Sequence, residues 1–314
     1  PKGQKPRGGD VEINRRRLAS KGVSMTLTSV FLVVLASFIH ATWNLLSKRA
    51  ASVGPIFVFA YNVVACVAYA PWVFYLLARG DIRWSWLGAS FIFFSGLIHL
   101  AYSLCLQRGY QLADLSVVYP VARGTGPMLA TLGAILFLHE APTSQSLSGL
   151  AAVIVGIGLI ATQGDLTAFH RPGGQAGIRW GTGTGGLIAS YTIVDAYAVK
   201  ELGVSPVVLD WFSNLLRFIL LAPLVIADPA RARALMKGFW WLALGVGLLS
   251  PLSYILVLFA LDMGAPLSVV APMREMSMMV GALMGMVILR EKVGRWRLIG
   301  CGVLAVGVVL LSSS

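Results

Sequence analysis

Long apolar runs recur along the whole chain, and their length restricts its fold more than any other feature. A bilayer core about 30 Å thick is crossed by about 20 helical residues. The runs are separated by short charged or Gly/Pro-rich breaks, such as Arg-Gly-Asp at 79–81 and Asp-Pro at 228–229. Strands of a membrane barrel would instead alternate apolar and polar residues. The sequence therefore predicts an all-α polytopic membrane protein with ten transmembrane helices, at about 28–47, 55–78, 86–106, 115–138, 146–163, 184–200, 205–227, 239–261, 265–289 and 297–312.

The composition excludes the common soluble classes of protein. Hydrophobic residues make up 57% of the 314 residues and charged residues only 12%, against about 25% charged residues in soluble domains. One soluble core of this size could not bury so much apolar surface. We therefore exclude a soluble globular domain, a disordered chain and a nucleic-acid-binding module. The net charge of +12 is assigned to membrane surfaces.

Residues 1–24 differ from the rest of the chain, because they carry many charges and contain no apolar run. We expect 1–27 to be a basic tail that is disordered or non-native, with Met25 as a candidate start. A surface anchor to anionic lipid is the alternative interpretation.

The two halves of the chain resemble each other when one is shifted by 151–152 residues. Leu-Ser-Val-Val at 115–118 recurs at 267–270, and Leu-His-Glu at 138–140 aligns with Leu-Arg-Glu at 289–291. Because each half has five predicted helices, the second half enters the membrane from the opposite side, as in the inverted repeats of secondary transporters. The predicted division is a first repeat at 28–163, a linker at 164–183 and a second repeat at 184–314.

This pattern resembles a known family. Two five-helix repeats, with Leu-x-Glu after the fourth and ninth helices, are similar to the EamA-type proteins of the drug/metabolite transporter superfamily. The resemblance covers about 28–312 and includes His-Ala-Thr-Trp-Asn at 40–44 and Ala-Arg-Gly-Thr-Gly-Pro at 122–127. The usual Leu-Gly-Glu of the family lacks its glycine here. The resemblance implies export of small metabolites, amino acids or drugs, without fixing one substrate.

Ionisable side chains inside apolar runs are the candidate functional residues, because each costs about 2.5–3.5 kcal/mol on insertion scales. Arg123 and Arg274 occupy equivalent repeat positions and suit a carboxylate or phosphonate-like group. Asp195 and Glu275 are the candidates for carrying a coupling proton. The predicted substrate-binding residues line a central cavity: His40, Trp43, Asn44, His99, Tyr102, Tyr119, Arg123, Tyr191, Asp195, Tyr254 and Arg274.

Structural alternatives stay open for these residues. Asp195 could form an ion pair with Arg123 or Arg274, and Glu275 could pair with Arg217. Arg274 and Glu275 are adjacent, hence about 100° apart on a helix, and are not expected to face one cavity together. His40, Asn62 and Asn214 could form hydrogen bonds between helices. Residues near helix ends are expected to be solvated or to cap helices: Glu140, Asp210 and Glu291.

Together these features predict a secondary transporter that moves a small metabolite (amino acid-like, organic anion or drug) by alternating access. Export is the expected direction, and proton coupling is one option. The alternatives are a flippase for a lipid or lipid precursor and a non-transporting membrane scaffold. No catalytic arrangement supports an enzyme, and no cofactor or metal is expected. The expected partners are a small-molecule substrate and the lipid bilayer, without nucleic acid, for a monomer or homodimer in a bacterial inner membrane.

The loop charges predict the orientation. Without the tail, loops after odd-numbered spans hold twelve Lys and Arg residues and loops after even-numbered spans hold three, which places the termini outside the cytoplasm. The seven basic residues of the tail oppose this prediction. The first group is Lys48, Arg49, Arg108, Arg171, Arg179, Arg231, Arg233, Lys237, Arg290, Lys292, Arg295 and Arg297, and the second is Arg79, Arg83 and Lys200.

Overall fold

A computed structural model describes residues 25–80, 82, 84–112, 115–170, 173–288 and 294–314, so Glu291 and most of the predicted tail lie outside the described residues. Within these ranges the regular structure is helical throughout. The helices are α1 (Leu27–Arg49), α2 (Pro55–Ala78), α3 (Trp86–Leu112), α4 (Leu115–Phe137), α5 (Ser144–Thr162), α6 (Gly174–Lys200), α7 (Pro206–Ala227), α8 (Pro229–Leu235), α9 (Trp240–Asp262), α10 (Leu267–Arg274), α11 (Met276–Ile288) and α12 (Arg295–Ser312).

Local chemistry sets where several helices begin. The Thr26 hydroxyl accepts a hydrogen bond from the Ser29 amide at 3.1 Å at the start of α1, and Thr143 caps α5 in the same way. Pro55 and Pro206 occupy the first turns of α2 and α7, where a missing amide hydrogen costs nothing. The sequence thus specifies these four boundaries locally.

Eight stretches of the described chain are long and apolar enough to cross a membrane. Helices α4 and α6 fall outside this group, since α4 contains Arg123 with two prolines and α6 is rich in glycine and threonine. Helix α6 also begins at Gly174, earlier than the predicted start at 184. The multi-pass helical architecture is confirmed, while the count of ten spans is not.

The predicted ninth span is two helices rather than one. Helix α10 ends at Arg274, α11 begins at Met276, and Glu275 lies between them. Pro272 has no amide hydrogen and disfavours a regular helix. At the end of α10 the Glu275 amide donates to the Pro272 carbonyl, three residues back, at 3.0 Å. This bond closes a tighter turn than the four-residue spacing of an α-helix. A continuous helix through 265–289 is therefore wrong.

The fifth helices of the two repeats cross in a symmetric way. A methyl group on Gly149 would lie 2.9 Å from the Gly307 carbonyl oxygen, and one on Gly156 would lie 2.9 Å from the Gly300 carbonyl oxygen. A shift of 151 residues maps Gly149 onto Gly300 and Gly156 onto Gly307. Each contact is therefore the image of the other, as across a two-fold axis. Helices α5 and α12 consequently run antiparallel.

The second helices of the repeats show the same symmetry. The rings of Phe59 and Phe218 lie 5.3 Å apart, and the Trp211 indole donates to the Cys66 carbonyl at 2.8 Å. A shift of 152 residues maps position 59 onto 211 and position 66 onto 218. The two halves of the described chain are therefore related by an approximate two-fold axis, which runs through the α2–α7 contact and through the α5–α12 contact.

The remaining helices enclose the space between these two contacts. Helix α3 packs on α6, and α9 packs on α1, which is the equivalent pair in the other repeat. Helix α4 runs parallel to α6, because a methyl group on Gly181 would lie 2.9 Å from the Val118 carbonyl oxygen and one on Gly185 would lie 2.9 Å from the Ala122 carbonyl oxygen. A larger residue at either glycine would push the helices apart. Both repeats thus contribute helices to the centre of the molecule.

Candidate functional site

Four rings from α3, α6 and α9 meet where the repeats join. The imidazole of His99 stacks on the ring of Tyr191 with centroids 3.9 Å apart and an interplanar angle of 27°. Tyr102 and Tyr254 contact Tyr191 edge-on at 5.6 and 6.0 Å. We call His99, Tyr102, Tyr191 and Tyr254 the aromatic cluster. It joins two side chains from each repeat.

Asp195 lies one turn beyond Tyr191 on α6 and is fully buried. The Tyr254 hydroxyl donates a hydrogen bond to its carboxylate at 2.5 Å. Among the described residues, no Lys or Arg nitrogen lies within 4.0 Å of this carboxylate. The alternative in which Asp195 forms an ion pair with Arg123 or Arg274 is therefore wrong, because a tyrosine hydroxyl contacts the carboxylate instead.

Arg123 forms an ion pair across the repeat interface. Its Nε lies 2.7 Å from Glu275 Oε2, and its Nη2 donates to Ser277 Oγ at 2.9 Å. The guanidinium also lies over the Tyr119 ring at 5.9 Å. The alternative in which Glu275 pairs with Arg217 is wrong, since Glu275 contacts Arg123 of α4 from the break between α10 and α11. Ser277 was not predicted, and no charge or repeat match in the sequence singles it out.

Arg274 is also buried, with 4% of its surface exposed, but its contacts are weak. Its Nη2 lies 3.5 Å from the Tyr191 hydroxyl, and its Nε has no hydrogen-bond partner among the described residues. The two adjacent residues contact different helices, since Arg274 contacts Tyr191 of α6 and Glu275 contacts Arg123 of α4. The expectation that they do not face one cavity together stays a prediction.

The α1 candidates form a neighbouring group. The His40 and Trp43 rings meet at 4.8 Å, the Trp43 indole donates to Ser253 Oγ at 3.1 Å, and the Asn44 amide donates to the His40 carbonyl at 3.0 Å. A substrate role for the α1 residues stays a prediction.

The expected central cavity also stays a prediction. Part of the surface of His40, Tyr102, Tyr119 and Tyr254 remains accessible, so these side chains are half-buried. Two pockets of the described chain lie elsewhere, one of them between α3 and α7 beside Gly88.

A series of hydrogen-bonded polar side chains runs along one face of α7. The Asn214 amide donates to Asp210 Oδ2 at 2.8 Å, and Arg217 Nη2 donates to Asn214 Oδ1 at 2.7 Å. Asp210 is buried rather than solvated. The expected interhelical bonds of Asn62 and Asn214 are wrong, because the Asn62 amide donates to the Val58 carbonyl of its own helix. Residues four apart on a helix are close enough to satisfy each other.

Glu140 links the two repeats outside the central group. Its Oε1 accepts a hydrogen bond from the Leu267 amide at 2.7 Å, and its Oε2 accepts one from the Ser268 amide at 2.9 Å. Lys200 Nζ lies 3.0 Å from Oε1. A carboxylate is favoured at a helix N-terminus by the free amides there. The capping role expected for Glu140 is confirmed, although the helix that it caps belongs to the other repeat.

Comparisons with known proteins agree with this architecture. A model of the EamA-like transporter family matches twice, at residues 27–162 and 175–313, which confirms the internal repeat. No curated protein matches the chain. A solved structure described only as a crystal structure of a protein has a TM-score of 0.69 and 17% identity, over 90% of this chain and 95% of that chain. At this identity the likeness shows the fold alone. Because the two family matches span nearly all of the chain, it belongs to the EamA-like transporter family.

Proposed function

We propose that the protein is a secondary transporter that exports a small organic solute by alternating access. The observation that carries this proposal is the aromatic cluster beside the buried Asp195 and Arg274, a group built from both repeats where they meet. Rocking of one repeat against the other would open this group to each side in turn. Buried ionisable residues at membrane depth are costly and generally mark a transport pathway.

The helix directions support ten crossings in two inverted repeats. Helices α5 and α12 are antiparallel, as are α3 and α6, whose contacts run from Phe91–Tyr197 to His99–Tyr191. If α4 and α6 did not cross the membrane, alternation of the other spans would make α5 and α12 parallel. Ten crossings agree with the helix directions given above for α5 and α12, for α3 and α6, and for α4 and α6. With five crossings in each repeat, the two-fold axis would lie in the membrane plane.

Asp195 is the proposed carrier of the coupling proton. Its carboxylate contacts a tyrosine hydroxyl and no described cation, so protonation changes its charge without breaking an ion pair. Protonation of Glu275 would leave Arg123 without its acidic partner. We therefore assign a structural role to Glu275.

The test is transport in proteoliposomes containing the purified protein. A panel of labelled amino acids, organic anions and cationic drugs is offered with and without an imposed proton gradient. We expect one solute class to move faster with the gradient. Asp195→Asn should lose gradient-driven transport but keep exchange of that solute across the membrane, because the amide keeps the hydrogen bond from Tyr254. Asp262→Asn is the matched control, since Asp262 is exposed at the end of α9.

Two results would contradict this proposal. One is the absence of transport of every solute by folded protein. The other is movement of fluorescent phospholipid between leaflets without solute transport, which would favour the flippase instead. Equal loss of gradient-driven transport in Asp262→Asn would remove Asp195 from the coupling role.

A further inference from the structure

The two equivalent arginines have different surroundings. Arg123 contacts Glu275 at 2.7 Å and Ser277 at 2.9 Å. The shift of 151 residues that maps Arg123 onto Arg274 also maps positions 124 and 126 onto 275 and 277. Those first-repeat positions are Gly124 and Gly126. The symmetric counterparts of both partners of Arg123 therefore have no side chain to offer Arg274.

Arg274 is consequently a buried cation with unused donors. It is 4% exposed, its Nε has no described hydrogen-bond partner, and its Nη2 is 3.5 Å from the Tyr191 hydroxyl. A guanidinium has five N–H donors and no acceptor. A buried charge without a close partner is costly unless a counter-charge is supplied. An anionic ligand would supply that charge.

Resting on the proposed function, we propose that Arg274 binds the carboxylate of a small organic solute, whereas Arg123 is a structural residue. The planar guanidinium can hold a carboxylate through two parallel hydrogen bonds. Tyr191 adds a phenol beside it, and its ring stacks with His99. A carboxylate that carries an apolar or aromatic group would place that group against the aromatic cluster.

The position of Arg274 favours a soluble carboxylate over a lipid headgroup. All residues of α10 are buried inside the helix assembly, so Arg274 lies behind other helices rather than on the lipid-facing surface. A headgroup would have to leave the interface and enter the protein to reach it. A small solute needs only the opening of one side of the repeat interface.

The first experiment measures equilibrium binding of phenylacetate to the full chain in phosphatidylcholine nanodiscs. Phenylacetamide, which has the same shape and no charge, is the matched probe. We expect phenylacetate to bind more tightly than phenylacetamide. Arg274→Gln should weaken phenylacetate binding by about 10- to 100-fold, the range for a lost charged hydrogen bond, and should leave the binding of phenylacetamide unchanged.

The second experiment adds an acid at the repeat position of Glu275, because no carboxylate oxygen lies within 4.0 Å of an Arg274 nitrogen among the described residues. Gly124→Glu places a carboxylate at that position. A methyl group on Gly124 would meet only Ile154, at an ordinary 3.9 Å, so a Cβ atom fits there. Gly124→Glu should lose phenylacetate binding as Arg274→Gln does. Gly124→Gln, whose side chain has the same size and no charge, should keep phenylacetate binding. The comparison of Gly124→Glu with Gly124→Gln still tests the proposal if Arg274→Gln does not fold.

Several outcomes would overturn the proposal. They are no binding of phenylacetate to the wild-type protein, equal binding of phenylacetamide, or equal effects of Gly124→Glu and Gly124→Gln. Stabilisation by phosphatidylglycerol without any response to phenylacetate would assign the anion to lipid and equally overturn it. The measurement needs no gradient, so failed transport with intact Arg274-dependent binding would contradict the proposed transport function alone.

Discussion

The two buried arginines at equivalent repeat positions have different contacts, because a different residue follows each one in the sequence. Arg123 precedes Gly124 and takes its acid from the other repeat, while Arg274 precedes that acid, Glu275. The equivalence of the arginines could be predicted from the 151-residue shift. Their partners could not, because the Arg123–Glu275 contact depends on a helix break that an apolar run does not reveal.

The Arg123–Glu275 ion pair provides a residue-scale prediction. Both groups are buried, at 7% and 0% exposure, so removing one leaves the other unpaired in the interior. Arg123→Gln should lower the free energy of unfolding by about 3–5 kcal/mol. The double variant with Glu275→Gln should regain most of that loss, because no charge is left unpaired. Equilibrium unfolding by SDS in mild detergent measures both, and additive losses in the double variant would contradict the ion pair.

At the scale of elements, close helix contacts depend on glycines that the repeat pattern had already aligned. A methyl group on Gly156 would lie 2.7–2.9 Å from Leu304 and the Gly300 carbonyl oxygen. Gly156→Ala should therefore force α5 and α12 apart and lower the free energy of unfolding by about 1–3 kcal/mol. Gly158, two residues along, has nothing within 4 Å, and Gly158→Ala should be neutral or stabilising. Equal effects in SDS unfolding would rule out this packing role.

The sequence predicted some elements better than others, for physical reasons. Apolar length and capping residues are local, so the bounds of α1, α2 and α7 were predicted to within a few residues. The interruption at Glu275 was missed because, apart from Arg274 and Glu275, the stretch 265–289 is as apolar as the other spans. His139 occupies the left-handed region with φ 53°, where L residues other than glycine are strained. The missing glycine of Leu-Gly-Glu was visible in the sequence, but its backbone consequence was not.

For the whole molecule, helix directions and loop charges address different questions. Alternation across the ten proposed spans would put both termini on one side of the membrane, whichever side that is. The Lys and Arg content of the loops indicates which side that is. The loops predicted from the sequence after odd-numbered spans hold twelve Lys and Arg residues against three after even-numbered spans, and positive loops remain in the cytoplasm. The seven basic residues before Met25 would raise the smaller number to ten and nearly cancel this preference.

The orientation prediction can be tested with a chain that begins at Met25 and carries alkaline phosphatase or green fluorescent protein after Ser314 in a bacterial cell. Alkaline phosphatase is active only outside the cytoplasm and the fluorescent protein only inside it. We expect high phosphatase activity and no fluorescence, because the 12-to-3 charge difference holds the odd-numbered loops inside. The full chain should give a mixed result, since its counts are 12 and 10. Fluorescence from the Met25 chain would contradict the prediction. It would leave the antiparallel arrangement of the repeats unaffected, because that follows from helix contacts alone.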